Sequence, residues 1–236
     1  MKLSTVMLVI SLTLFMGVLM VYNLSLKAAY VKGTFRDRFG EHTFNPLKTV
    51  KELRFGAANL MGTSVESGDR EGVWISNHLK EFVNVEQKGE VATISLRELD
   101  SSNYMHIGTQ DVVVIVNKLN KVRSDTEIVK GLRFEDFGGE LNIIGLKGDS
   151  LDIVTAEQST VFLKGCTYKV LNAVVGGDKY WSRLSLSGDN KFGEASFDIK
   201  KSSLELQDPA ISRLNYKLGV SSRVELWGRS ARTLLK

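Results

Sequence analysis

Short runs of alternating apolar and polar residues follow one another from about residue 50 to residue 226, and they limit the possible folds more than any other feature of the chain. Val91–Leu96 is one such run. A period of two places apolar side chains on one face of an extended strand and polar side chains on the other. Strong helical periodicity is absent from the same region. The pattern therefore predicts an all-β domain.

The predicted strands of the second half are short and regularly spaced. Their centres recur about every ten residues, and glycine-aspartate pairs at 148–149 and 188–189 mark turns between them. Such spacing is typical of a β-solenoid, a barrel or a sandwich. Very short strands with variable spacers favour a single-stranded β-helix or solenoid-like domain over residues 47–236. A β-sandwich is the alternative.

One segment of the first half lacks the alternation. Residues 111–116 read DVVVIV, so both faces of this predicted strand are apolar. A strand of this kind is typically covered on both sides. We therefore expect both of its faces to be buried.

The N-terminal region predicts a membrane anchor. Residues 3–26 carry no charge, and the 21 residues of segment 6–26 would form a helix of about 32 Å, the thickness of a bilayer core. A cleaved signal peptide is the alternative, but its apolar region would be shorter and would end in small residues. We assign residues 1–27 to one N-terminal transmembrane helix and residues 28–46, which end at Pro46, to a juxtamembrane linker.

The charges on either side of the anchor do not by themselves determine its orientation in the membrane. Lys2 precedes the apolar segment, whereas Lys27, Lys32, Arg36 and Arg38 follow it. The positive-inside rule alone would place the large domain in the cytoplasm, but long C-terminal domains are exported largely regardless of charge. We predict a single-pass inner-membrane protein with a periplasmic domain, and a cytoplasmic domain is the alternative.

Composition argues against several classes of function. The 31 basic and 27 acidic residues are interspersed, which is not the pattern of a nucleic-acid-binding surface. The histidines His42, His78 and His106 form no metal-binding motif. The single cysteine, Cys166, lies in a strand-like segment, where it is expected to be a small core residue. The sequence predicts no catalytic site, no cofactor and no metal.

Two acidic pairs keep one enzymatic alternative open. Glu135 with Asp136, and Asp149 with Asp152, are the pairs that a polysaccharide-active enzyme would use, because glycoside cleavage requires two carboxylates. Both pairs fall at turns or at outward strand positions. They therefore read more simply as solvated surface.

The segment at residues 176–183, GGDKYWSR, interrupts the ladder and supplies the one candidate ligand surface. It places two neighbouring aromatic residues, Tyr180 and Trp181, between the cations Lys179 and Arg183. If the segment is a strand, one ring reaches the core and the other faces outward, where it could stack on a sugar or a peptide group. The simpler interpretation is that Trp181 fills the core and Tyr180 covers a loop.

Several of these features together resemble a known family. They are the anchor with its exit sequence at residues 26–30, the early strand at 50–55, the run at 111–119 and the later ladder with its glycine-aspartate turns. The chain resembles the autotransporter-adhesin "head GIN" domain proteins of Bacteroidetes-type bacteria over nearly its whole length. The resemblance implies a single-stranded β-helix displayed outside the cytoplasmic membrane, and it supplies no catalytic residues to carry over.

The sequence thus favours a membrane-anchored envelope protein whose non-catalytic domain serves binding or adhesion. Its expected partners are the membrane, through the N-terminal helix, and a glycan or an envelope protein. The alternative is a self-assembling scaffold, since stacked solenoids with open ends can polymerise in the way of bactofilin-like proteins. A polysaccharide-active enzyme is the third hypothesis.

Overall fold

A computed structural model describes residues 3–31, 38–97, 107–126, 139–155 and 158–228. The chain divides into two compact units, Met1–Glu41 and His42–Lys236. The first unit contains the N-terminal helix, and the second contains all the strands described below.

The helix α1 covers Leu3–Val31 and exposes apolar side chains around its whole circumference. Its segment Ser4–Ala28 is 25 residues long, and none of its most apolar window is buried. At 1.5 Å per residue, this segment measures about 37 Å. By length and composition, α1 can serve as a membrane span or a signal anchor. It therefore agrees with the predicted apolar helix, while the orientation remains a prediction.

The described part of the second unit contains seventeen strands. The first eight are β1 (His42–Pro46), β2 (Glu52–Phe55), β3 (Met61–Ser67), β4 (Gly72–Ser76), β5 (Val83–Lys88), β6 (Val91–Leu96), β7 (Ile107–Val116) and β8 (Lys121–Ser124). The other nine are β9 (Glu140–Ile144), β10 (Lys147–Thr155), β11 (Thr160–Lys164), β12 (Thr167–Val175), β13 (Arg183–Leu186), β14 (Lys191–Ile199), β15 (Ser203–Gln207), β16 (Ala210–Leu218) and β17 (Arg223–Trp227).

These strands form two mixed sheets. Sheet A has nine strands in the order β1-β4-β7-β3-β9-β11-β13-β15-β17. Sheet B has eight strands in the order β16-β14-β12-β10-β8-β2-β6-β5. One apolar cluster takes buried residues from both sheets, so the inward side chains of A and B share a core.

The N-terminal strands give each sheet its antiparallel pairs. In sheet A, β4 pairs antiparallel with both β1 and β7, and in sheet B, β5 pairs antiparallel with β6. Strand β7 lies between β4 and β3, and four of its valines are fully buried. The expectation that the DVVVIV segment is covered on both faces is therefore confirmed.

From β8 onward, successive strands alternate between the two sheets. Each strand pairs in parallel with the strand two places further along the chain. We call one strand of sheet A with the following strand of sheet B a rung. Equivalent inward positions then form columns, and one column of sheet A consists of Ile143, Leu163, Leu186, Leu206 and Leu226. The first four of these are buried, and only Leu226, on the last rung, is partly exposed.

The all-β prediction is confirmed, but the strands form two mixed sheets rather than a closed solenoid over residues 47–236. The difference arises in the first half, where short turns such as that at Gly89 return the chain antiparallel instead of carrying it to the other sheet. Strand β1 also lies inside the range predicted as linker. None of its five residues is buried, and two are exposed, so the strand needs no apolar face that would show as alternation in the sequence.

Polar residues hold the turn that precedes each strand of sheet A on the later rungs. Ser159, Ser182 and Ser202 occupy equivalent buried positions. The backbone N–H of Ser182 donates to Ser202 Oγ at 3.1 Å, and that of Ser159 donates to Ser182 Oγ at 3.4 Å. A buried backbone N–H without a hydrogen-bond partner is costly. The hydroxyl groups of this serine column therefore stabilise the turn by accepting hydrogen bonds that apolar side chains could not accept.

Candidate functional site

The predicted ligand surface lies on the longest turn between β9 and β17. The paired positions Glu140, Thr160, Arg183, Ser203 and Arg223 follow one another at intervals of 20, 23, 20 and 20 residues. The interval from Thr160 to Arg183 therefore carries three extra residues. They fall in the loop at residues 176–182, between β12 and β13.

Backbone contacts fix this loop at both ends. At its start, Gly176 has a φ of 80°, and its N–H donates to the Thr155 carbonyl at 2.9 Å. In its middle, the ammonium group of Lys201 donates to the carbonyls of Asp178, at 3.4 Å, and Lys179, at 3.2 Å. At its end, the Trp181 carbonyl accepts from the Gln158 N–H at 3.2 Å. The loop is thus held by neighbouring rungs on either side.

Both aromatic side chains of the loop face solvent. Tyr180 is 39% exposed and Trp181 is 38% exposed. The expectation that one of the two rings reaches the core is wrong, and so is the simpler interpretation in which Trp181 fills it. Residues 176–182 are not a strand, so the alternation of faces that holds for strands does not apply to them.

Two guanidinium groups lie close to the indole ring of Trp181. The Arg183 carbon Cζ is 5.1 Å from the ring centroid, and that of Arg223 is 5.8 Å from it. Both distances lie within the range of cation–π attraction. Arg223 belongs to the next rung but one, and the parallel register brings it beside the loop. We call Tyr180, Trp181, Arg183 and Arg223 the aromatic–arginine surface.

Carboxylates balance the charge of this surface. Arg183 Nε lies 3.0 Å from Glu205 Oε1, an ion pair without hydrogen-bond alignment. Arg223 Nε lies 3.0 Å from Glu225 Oε1. The arrangement presents amphipathic rings and planar guanidinium groups with little net charge. Such a surface can stack against a sugar or a peptide group.

The other sequence candidates are not brought together as a reactive site. Among the described residues, no three His, Cys, Asp or Glu side chains could hold a metal ion. His42 contacts the Gln110 carbonyl, and His78 contacts Ser76 Oγ, whereas His106 lies outside the described residues. Burial raises the pKa of the Cys166 thiol to about 11, so the reactive thiolate is disfavoured at neutral pH.

The acidic pairs can be followed only in part. Glu135 and Asp136 lie outside the described residues. Asp149 lies 2.7 Å from the Lys169 ammonium group, and this hydrogen-bonded ion pair lowers the pKa of Asp149. Asp152 Oδ1 accepts from Asn172 at 2.9 Å. A general acid requires a raised pKa, so the Asp149 environment is opposite to the one that this role needs.

Comparison with known proteins gives structural neighbours only. The chain matches no protein-family model and no curated protein sequence. It is similar to the structure of a candidate adhesin from Parabacteroides merdae, with 14% identity, a TM-score of 0.43, and coverage of 79% of this chain and 81% of the other. It is also similar to a candidate adhesin from Bacteroides fragilis, with 11% identity, a TM-score of 0.41, and coverage of 78% and 94%.

A third neighbour is a candidate lipid-binding protein from Parabacteroides distasonis. The identity is 14%, the TM-score is 0.32, and the match covers 80% of this chain and 98% of the other. Likenesses at this level carry no argument about ligand or mechanism. Membership of the head GIN family stays a prediction.

Sequence reasoning found the loop but missed half of its surroundings. Arg223, Glu205 and Glu225 complete the surface, yet they lie more than twenty residues beyond Trp181. The signal that could have found them is the interval of 20 residues between equivalent strand positions. That interval places residues 183, 203 and 223 side by side.

Proposed function

We propose that this chain is a membrane-anchored envelope protein whose β domain serves binding or adhesion without catalysis. The observation that carries the proposal is the aromatic–arginine surface, which stands on the one three-residue extension among the sheet A intervals from β9 to β17. Exposed tyrosine, tryptophan and arginine are the residue types that dominate binding hot spots. The partner in this proposal is an envelope glycan or an envelope protein.

The proposed address is the inner membrane, with α1 as a single uncleaved span and the β domain in the periplasm. Residues 1–27 act as the anchor and residues 28–46 as the connection to the domain at 47–236. The exposed apolar circumference of α1 supports a tether, because a core helix keeps one polar face. Reporter fusions after Gly33 and at the C-terminus test the topology. Activity of the reporter that works only in the cytoplasm would overturn the export.

We further propose that the parallel part of the domain is a β-helix of the kind that the resemblance to head GIN proteins implies. The support is the alternation of strands between two sheets from β8 to β17, with parallel pairing throughout. In such an architecture, each rung contacts only its neighbours, so stability depends on stacking. A crystal structure with the strand pairing of a sandwich in this region would exclude it.

Binding through the aromatic–arginine surface is tested with the full chain in proteoliposomes. The probes are purified peptidoglycan sacculi and envelope vesicles from cells that lack this protein. We expect Trp181→Ala to weaken retention about tenfold, the effect of losing a tryptophan hot spot. Trp227→Ala is the matched control, since Trp227 is 59% exposed but lies outside the loop. Equal retention of the wild type and the Trp181 variant would contradict the assignment.

A specific observation keeps the self-assembling scaffold as a second candidate. Within the described residues, β16 forms one edge of sheet B, and β17 forms one edge of sheet A. Leu218 is 46% exposed there. Unpaired edges with apolar side chains are templates for further strand pairing. Light scattering and electron microscopy of the full chain in detergent test this candidate, and a monodisperse monomer removes it.

A further inference from the structure

A second surface, on the outer face of sheet B, is independent of the aromatic loop. Four successive parallel strands, β10, β12, β14 and β16, carry Asp152, Asn172, Ser196 and Asn215 at the same outward position. Neighbouring strands are about 4.8 Å apart, so this polar row runs for about 14 Å across the sheet. Each side chain of the row has a carboxylate, amide or hydroxyl group. The row therefore repeats hydrogen-bonding groups at a constant interval.

An apolar strip lies beside the polar row. Val154 and Val174 face the same side two residues further along their strands, pair with each other, and are only half-buried. Together with the row they line a shallow groove of about 560 Å³. We call it the sheet B groove. One side of this groove offers apolar contacts, and the other side offers a row of hydrogen-bonding groups.

The charges of the sheet B groove cancel. Its lining includes two cations, Lys121 and Lys217, and two anions, Asp152 and Asp198. Lys121 also lies 3.7 Å from Glu52. A groove without net charge gives no attraction to a polyanion such as a nucleic acid, whose binding requires a basic surface. The binding of a neutral ligand does not depend on such attraction.

Hydrogen bonds within sheet B hold both asparagines of the polar row. Asn172 Nδ2 donates to Asp152 Oδ1 at 2.9 Å, and Asn215 Nδ2 donates to Glu194 Oε1 at 3.2 Å. These contacts fix the amide planes and leave amide oxygens as acceptors for a ligand. Because less side-chain freedom is lost on binding, such pre-organisation favours affinity.

Two other occupants fit the geometry less well. A peptide cannot add as a strand here, because β10, β12 and β14 each already pair on both edges. An acyl chain would cover the remaining hydrogen-bonding positions of the polar row without bonding to them, which is unfavourable. A chain of neutral sugars satisfies both sides, since its hydroxyl groups can meet the row while its apolar ring faces meet the valines.

We propose that the sheet B groove binds a neutral, extended glycan chain that crosses strands β10, β12, β14 and β16. The polar row contributes the hydrogen bonds, and the strip of Val154 and Val174 contributes the apolar contact. This proposal does not depend on the aromatic–arginine surface, and the two sites are separable by mutation.

The test uses the full chain in detergent on a printed array of neutral and anionic glycans, followed by calorimetry with the neutral hexasaccharide that gives the strongest signal. We expect retention of neutral glycans, and we expect Asn172→Ala with Ser196→Ala to weaken binding about tenfold, the effect of about 1.4 kcal/mol of lost hydrogen bonding. Asn84→Ala is the matched control. It removes an asparagine that bonds Glu86 on β5, at the opposite edge of the same sheet.

The outcomes separate this proposal from the proposed function. Retention of anionic glycans alone, or of no neutral glycan, overturns the groove. Neutral-glycan binding that survives the groove variants but is lost with Trp181→Ala also overturns it, and assigns the glycan to the aromatic loop. Loss with the groove variants and not with Trp181→Ala supports the groove even where the aromatic–arginine surface has no role. Thermal melting of each variant confirms that the fold is retained.

Discussion

The two halves of the β domain are built from similar alternating sequences, yet they pair their strands differently. From β1 to β7, three antiparallel pairs occur beside the parallel ones, whereas from β8 to β17 all described pairs between successive rungs are parallel. Side-chain alternation decides which face of a strand is buried. The length of each connection decides which strand becomes its neighbour. Among the described strands, the first half consequently supplies all the antiparallel pairs, and the second half forms a parallel ladder whose edge strands are β16 and β17.

The largest expected effect compares two leucines of one column. We expect Leu186→Ala, inside the ladder, to lower the free energy of unfolding by about 3 kcal/mol, because it leaves a cavity between buried neighbours. Leu226→Ala, on the last rung, should cost about 1 kcal/mol, since this side chain is already partly exposed. Denaturant unfolding of the full chain in detergent measures both. Equal losses would mean that the last rung is as well covered as the interior.

The second prediction compares two glycines with positive φ, one in each half. Gly176→Ala should cost about 3 kcal/mol, because an alanine there is strained and its Cβ would lie 1.8 Å from Ser202 Oγ and 2.5 Å from the Lys200 carbonyl. Gly89→Ala, in the hairpin between β5 and β6, meets no atom within 4 Å. It should therefore cost only about 1 kcal/mol, from its backbone conformation alone.

Thermal unfolding ranks these two variants. A Gly89 variant that is as unstable as the Gly176 variant would show that the hairpin, rather than the contact between rungs, limits stability. The comparison of the two halves would then lose its physical basis.

The third prediction concerns the serine column of the parallel half. Ser202→Ala should cost about 1 kcal/mol, since it leaves the buried N–H of Ser182 without its acceptor. The adjacent Ser203→Ala is the control, because Ser203 Oγ is buried and has no hydrogen-bond partner among the described residues. We expect this control to change the stability by less than about 0.5 kcal/mol. Equal effects in urea unfolding would exclude a structural role for the column.

The smallest expected effect is a pH dependence where the two halves meet in sheet B. A hydrogen bond from Arg54, together with the nearby charge of Lys121, lowers the pKa of Glu52 in the folded state. Its contribution to stability is therefore complete above the unfolded pKa of about 4.3, and it is lost as the pH falls through the lower folded value. Glu52→Gln should make the loss of thermal stability below pH 5 shallower. An unchanged slope between pH 5 and pH 3 would contradict the prediction.

The sequence predicts the ladder well because its inward positions are apolar in almost every rung. Leu184 with Leu186 and Leu204 with Leu206 fall on the buried face as expected. The buried polar positions were not predictable in this way, because a serine such as Ser202 reads as a turn residue until its partner on the neighbouring rung is known. The register between rungs is a long-range property, and a local pattern does not contain it.

The candidate site residues likewise fall into two groups, those that the local sequence pattern reveals and those that only the register between rungs reveals. Tyr180 and Trp181 stand out locally because they interrupt the alternation. Their exposure follows from the three-residue extension, which only the paired positions reveal. Asn172 and Ser196 are ordinary surface residues in the sequence, and they become a row only when the parallel pairing aligns them.

The interval of 20 residues also has a consequence for how this protein can change over time. Duplication of residues 183–202 would add one strand to each sheet and keep every apolar side chain on its buried face. Insertion of a single residue within a strand would turn the following side chains to the wrong face. Homologues should therefore differ in length mainly by whole rungs, and shorter insertions should accumulate in turns such as residues 176–182. A gain of one rung would also lengthen any surface that crosses the strands by about 4.8 Å.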